Sequence, residues 1–126
     1  MEIHWHTFNV PKCGYAVKKK FVGEWRIVES DEWSPDYLDM IKEAEIKITT
    51  RGTGHINFGA FEGMIDAEKD EWNPEEVIQF SFYGRDEDET VSGRGTAKII
   101  DEEMIGRIVF HCGMKAKFRA TKKPKI

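Results

Sequence analysis

Eight short stretches of this chain alternate apolar and polar residues with the two-residue period of a half-buried strand. Nearly all the connections between them are shorter than the dozen or so residues a parallel crossover needs. Along 24–30, Trp25, Ile27 and Glu29 share one face. Ile46 and Ile48 share a face in 43–50, and Ile56 and Phe58 do so in 55–60. Ile65 and Ala67 follow in 62–68, then Ile78, Phe80 and Phe82 in 76–83. Gly93, Gly95, Ala97 and Ile99 line one side of 92–100, Gly106, Ile108, Phe110 and Cys112 one side of 104–112, and Ala116, Phe118 and Ala120 one side of 115–121. Turn residues separate the stretches, as at Arg51-Gly52-Thr53-Gly54 and Asp101-Glu102-Glu103. Helical periodicity is confined to one place, where Ser34-Pro35-Asp36 reads as a cap followed by proline at the first helical position. The short helix it opens is expected to run through Tyr37, Leu38 and Ile41.

Neighbours in sequence must then be antiparallel neighbours in space. This predicts an all-β fold, an antiparallel up-and-down barrel of eight strands with one short helix after the first strand. An open two-layer sandwich is the competing arrangement. Glycines 93, 95 and 106 are expected to mark bends or close backbone approaches, and any cavity is expected to be small and on their narrow side. The large inward residues Trp25, Phe58, Phe80, Phe82, Phe110 and Phe118 are expected to fill much of the interior.

At 126 residues, 40% hydrophobic and 12% aromatic, the chain has one domain's worth of core. No apolar run approaches the roughly 20 residues of a membrane-spanning helix. The opening Met1-Glu2-Ile3-His4-Trp5-His6 lacks the basic end and apolar stretch of a secretory signal. Two cysteines, Cys13 and Cys112, are too few for a disulfide scaffold or a four-thiolate zinc site. A cytoplasmic location is the expectation.

The net charge of −4 hides a strong asymmetry. Residues 24–103 carry 22 acids against eight bases, whereas 104–126 carry no acid and seven bases. Lys12, Lys18, Lys19 and Lys20 make the other end basic as well. If the two ends pair, their charges gather on one side of an acidic body. Solubility and protection of strand edges account for such lysines without a partner; an acidic or nucleic-acid partner is the functional alternative.

Two resemblances bear on the fold. Phe21-Val22-Gly23-Glu24-Trp25 places Gly-x-Trp at the entry to the first strand, which resembles the opening motif of lipocalins and other calycins. That likeness implies a calycin-like barrel with Trp25 plugging one end and an arginine near the last strand, Arg119, packed across it. From Phe21 to Ala120 the chain also resembles a group of small uncharacterised prokaryotic proteins. The blocks that carry this are FVGEWRIVESDEW (21–33), INFGAFEGMID (56–66), FSFYGRDEDETVSGRG (80–95) and GRIVFHCG (106–113). The resemblance implies a single barrel domain over 21–126, with 1–20 as an extension outside it. It implies no activity.

Several residue patterns invite a chemical reading. Asp86, Asp88, Thr90 and Ser92 have the spacing of a calcium loop, but Val91 and Ala97 stand where that loop needs glycine and glutamate. Ser92-Gly93-Arg94-Gly95 lacks the length and the lysine of a phosphate loop, so Arg94 is expected to pair with acids such as Asp86 or Asp88. Glu29 shares parity with Trp25 and Ile27, which would point a carboxylate inward. Such a group must find a partner, reach solvent at the mouth or stay protonated. Asp31 and Glu32 lie close to it. His111 and Cys112 are adjacent on a strand and would face opposite ways, leaving Cys112 as a small core residue. His4 and His6 could clip a metal, but no third ligand is near. Tyr83, Phe61, Trp33 and Trp72 are the aromatics expected outside; their acidic surroundings argue against single-stranded nucleic acid.

The expected function is non-catalytic binding of a small ligand at the barrel mouth, with Glu29, Arg94, Cys112 and Trp25 as the candidate ligand-binding residues. The alternatives are an interaction or structural module with a filled barrel, or an enzyme built on Glu29 and neighbouring carboxylates. No catalytic residue, metal or cofactor is implied. A homodimer, through an exposed strand or through Trp33 and Trp72, is a possible assembly; no membrane association is expected.

Overall fold

The structure is a computed structural model, and it describes residues 17–124. Eight strands close into an antiparallel barrel in which each pairs with its sequence neighbours and the last returns to the first. They are β1 (Gly23–Ser30), β2 (Glu45–Ile48), β3 (Thr53–Phe58), β4 (Phe61–Lys69), β5 (Val77–Asp86), β6 (Glu89–Ile100), β7 (Glu103–Phe110) and β8 (Lys115–Lys122). This is the up-and-down barrel the alternation predicts, and closure leaves no open strand edge among the described residues. No helix among them is long and apolar enough to cross a membrane. His4, His6 and Cys13 lie outside the described residues.

The helix α1 (Pro35–Leu38) starts where expected, with the Ser34 hydroxyl accepting from the Tyr37 N–H at 3.2 Å. It stops one turn in, so Ile41 is not part of it and stands 69% exposed. Its role is to fold the β1–β2 connection over one end of the barrel. Leu38 is buried and its carbonyl accepts from Gly59 N–H, while the Tyr37 ring occupies the space above Gly59, which turns the chain from β3 to β4 at φ +55°. Only glycine fits there on both counts.

The same end is packed with rings. Trp33 lies 4.7 Å from Phe58, Phe58 5.3 Å from Phe61, Phe61 5.4 Å from Phe82, and Phe82 5.1 Å from Phe110. These separations and tilts suit edge-to-face contact. Phe61 and Trp33, expected outside, belong to this cluster. Phe61 has the parity of Ile65 on β4, and Trp33 is drawn inward by the turn into α1.

At the other end a 3-10 turn (Lys19–Phe21) delivers the buried Phe21 to Trp25, whose indole N–H donates to the Phe21 carbonyl at 3.0 Å. Trp25 is 1% exposed. The cation near its ring is Lys122, at 5.3 Å from the centroid, and not Arg119, which faces outward from β8.

The narrow side is occupied by phenyl rings. Gly93, Gly95 and Gly106 sit in register opposite Phe82, Phe80 and Phe118. A Cβ on each would come within 2.6, 2.3 and 2.5 Å of the facing ring carbon. The phenyl rings lie on bare backbone, and the volume missing from one strand is filled from the next.

One turn departs from its best sequence. Asp101 and Glu102 link β6 to β7 with φ of 49° and 67°, the paired left-handed geometry of a two-residue hairpin turn that favours Asn-Gly. Glu102→Gly is expected to stabilise the protein by about 1 kcal/mol, measured by urea unfolding; a loss would show that the Glu102 side chain contributes something the turn geometry does not reveal.

Candidate functional site

The four residues singled out as a ligand set do not converge. Trp25 is core. Glu29 points outward because β1 carries a bulge between Ile27 and Glu29: Ile27 pairs with Ala120, but Glu29 pairs with Arg119. The extra residue, Val28, reverses the alternation from there on. Glu29 Oε1 accepts from Arg119 Nε at 3.1 Å with its side chain 65% exposed. Asp31 accepts from the Lys117 backbone N–H at 2.7 Å and Glu32 is exposed, so these carboxylates do not form an enclosed acid pair. Cys112 is not in the core. β7 ends at Phe110, and Cys112 lies exposed in the following turn at φ 54°. Arg94 lies opposite Ser81 on the outer wall, five residues along β5 from Asp86, so its pairing with Asp86 or Asp88 is excluded by register. The segment 86–89 is a tight hairpin turn with Asp86 opposite Glu89, and no group of three metal-ligating side chains occurs among the described residues.

What register does assemble is a grid of side chains on the outside of β6, β7 and β8. Arg94, Val109 and Lys115 form one row across the three strands. Thr96, Arg107 and Lys117 form the next, and Lys98, Ile105 and Arg119 the third. Six of these nine positions are cationic and none is acidic. Neighbouring strands stand about 4.8 Å apart and alternate residues about 6.8 Å along a strand. Six positive charges therefore share a surface about 10 Å by 14 Å on a protein of net charge −4.

Elsewhere on the wall cations stand beside acids, and although Lys47 and Arg85 make no ion pair among the described residues, Lys47 lies opposite Glu24 and Arg85 opposite Glu62. Across β1–β3, Arg26 bridges Asp39 and Glu43, Lys123 bridges Glu43 and Glu45, and Glu45 Oε1 accepts from His55 Nε2 at 2.8 Å. Lys18 and Lys20 at the basic N-terminal end both reach Glu76. In the grid, Lys98 is paired with Glu75, and Arg119 with Glu29 and Glu103. Arg94, Arg107, Lys115 and Lys117 have no ion pair among the described residues. Arg107 and Lys117 are placed directly opposite each other, an arrangement that costs stability.

Shallow grooves border the grid on the outer wall. One of about 520 Å³ runs along the β5 side between Glu68, Gln79, Ser81, Arg94 and Arg107. Another of about 350 Å³ lies on the β1 side, beside Glu29, Asp31, Ile105 and Lys117. Acids stand beyond both margins: Asp66 and Glu68 on β4, and Glu29 and Asp31 at the end of β1. Sequence reasoning reached the basic stretch 104–126 but not the grid, because Arg94 and Lys98 come from the acidic middle of the chain and join it only through strand pairing.

The paired wall carries a pH dependence. Burial works to raise the Glu45 carboxyl, but hydrogen bonds and charge from Lys123 and His55 outweigh it and hold the group below its ordinary 4.5. Hydrogen bonds from Glu45 and Glu43 hold the Lys123 ammonium above its ordinary 10.5. A depressed carboxylate stabilises above its unfolded pKa and loses that as pH falls through the folded value. A raised ammonium stabilises below its unfolded pKa and loses that as pH rises through the folded one. Stability should therefore fall below about pH 4.5 and again above about pH 10.5. Lys123→Met should flatten both limbs and cost about 1 kcal/mol or less at pH 7, measured by urea unfolding across pH. Limbs as steep as wild type would place the titrating groups elsewhere.

Comparison with known protein families, with curated proteins and with solved structures returned no match.

Proposed function

We propose that this protein is a non-catalytic binding module that takes an anionic partner on the outer wall of β6–β8. The observation that carries the reading is the cross-strand pair Arg107–Lys117, two like charges opposite each other and without an acid, whereas elsewhere on the wall Lys47 stands opposite Glu24 and Arg85 opposite Glu62. Like charges held together at a cost to stability are what a surface awaiting a negative partner requires. The interior supports the same conclusion. It is filled by phenyl rings on the narrow side and closed by Trp33 and α1 at one end and Phe21 and Trp25 at the other. This favours the filled-barrel module over a ligand held in the mouth. The calycin likeness enters only through the plugging tryptophan, with Lys122 in the role expected of Arg119. The free, exposed thiol of Cys112 suits a reducing compartment such as the cytoplasm.

The test separates stability from binding in one substitution. Arg107→Glu converts the like-charge pair to an opposite pair and should stabilise the protein by about 0.5 kcal/mol. Combined with Arg94→Glu it should weaken binding of a fluorescent poly-glutamate probe about tenfold or more, with wild-type affinity falling as salt rises. Equal binding by wild type and the double variant would remove the proposed face.

A further inference from the structure

The grid is not uniformly charged, and its centre gives the partner's character. On β7 the outward residues run Ile105, Arg107, Val109, so that an arginine stands between two aliphatic side chains, while β6 and β8 supply cations on either side. Ile105 is half-buried and borders the groove on the β1 side. Among the described residues the exposed aromatics, Trp72 at 94% and Tyr83 at 64%, lie outside the nine positions. Tyr83 pairs with Met64 and Ser92, and Trp72 sits in the acidic β4–β5 loop. Bases would therefore find no stacking platform on the cations. A phosphate chain running past the grid in the cross-strand direction would meet Asp66 and Glu68 on one side and Glu29 and Asp31 on the other.

We infer that the partner is an acidic polypeptide segment in which carboxylates are interleaved with aliphatic residues, lying along β7 between the cations of β6 and β8. This rests on the reading of β6–β8 as the binding face. An extended segment repeats its side chains on one side about every 6.8 Å, which is the spacing of the three rows. A carboxylate then meets Arg107 while a neighbouring aliphatic residue of the segment rests on Ile105; Val109, 7% exposed, is already covered on the wall. The acidic flanks on β4 and β1 bound the width of the face and favour a segment that runs along β7 over one that crosses the strands. Because the barrel is closed, recognition is by side chains on the wall and not by adding a strand to an edge.

The experiment uses the full chain and three fluorescent probes of equal net charge, compared by anisotropy at low and moderate salt: a Glu-Ser-Val-Ser repeat (the Glu-Val peptide), which when extended alternates glutamate and valine on one face, a Glu-Ser-Ser-Ser repeat (the Glu-Ser peptide), and oligo-deoxythymidine. The Glu-Val peptide should bind several-fold more tightly than the Glu-Ser peptide. Ile105→Thr should erase that difference while leaving Glu-Ser binding unchanged. Arg94→Glu with Arg107→Glu should weaken both peptides about tenfold or more. Tighter binding of the oligonucleotide, abolished by the same reversals, would overturn the polypeptide partner and leave the face standing. Glu-Ser binding equal to Glu-Val would do the same for the aliphatic requirement. Binding of no probe, or binding indifferent to the reversals, would overturn the partner and the face together. All three substituted side chains lie on the outer wall, and retained near-ultraviolet spectra confirm that each variant is folded.

Discussion

Gly95→Ala should destabilise the protein by about 3 kcal/mol, a large effect for one methyl group. The added Cβ would lie 2.3 Å from a ring carbon of Phe80 and 2.7 Å from the Arg107 carbonyl oxygen. The ring belongs to a buried side chain and the carbonyl to the sheet ladder, so neither can yield cheaply. The diagnostic is a double-mutant cycle. In a Phe80→Leu background the ring that meets the methyl is gone, and the cost of Gly95→Ala should fall by at least about 1 kcal/mol. Additive costs would mean that the backbone contact alone sets the penalty, and that the phenyl ring does not fill the narrow side. The same reasoning applies to Gly93 beneath Phe82 and Gly106 beneath Phe118. Three such contacts make the filling of the interior a property of strand pairing and not of one residue.

Trp25→Ala should cost about 3–5 kcal/mol and lower the melting temperature by on the order of 10 °C or more. The indole is 1% exposed, stands opposite Ile46 and Lys122, and is tied to the Phe21 carbonyl through its N–H. Its removal opens one end of the barrel and releases the 3-10 turn that carries Phe21. Trp25→Phe should recover more than half of that loss, since most of the stabilisation is buried ring area and a smaller share is the hydrogen bond. If alanine were tolerated at Trp25, the end of the barrel would be closed by something other than the Phe21–Trp25 pair.

The strands were legible because a two-residue period survives in the sequence wherever a strand is regular. The misreadings cluster where it is interrupted. Glu29 was expected inside on the parity of Trp25 and Ile27, and one bulged residue at Val28 carries it outside; the residues Ile-Val-Glu themselves carry no signal for a bulge. Cys112 was expected in the core on the parity of Phe110, but the ladder ends at Phe110 and the next residues turn. Gly113 is the trace of that turn in the sequence. Arg119 was matched to Trp25 by position near the last strand, yet residues 118 and 120 are the inward ones on β8, and Lys122 provides the cation from the strand's end. Phe61 was legible in hindsight by extending the alternation of Ile65 and Gly63 one step back. The binding face was half visible, as an acid-free stretch from Met104 onward. The other half, Arg94 and Lys98, becomes visible only when β6 is set beside β7 in register.

The most direct test of a filled barrel working through its outer wall is a titration of isotopically labelled protein with the Glu-Val peptide, followed by amide proton–nitrogen correlation spectra. The expected shifts are confined to residues 94–98, 105–109 and 115–119, with the amides of Trp25, Phe58, Phe61 and Phe82 unmoved. Shifts centred on those four core aromatics, with the grid silent, would mean that the partner enters the barrel and that the outer face is only a solvated wall.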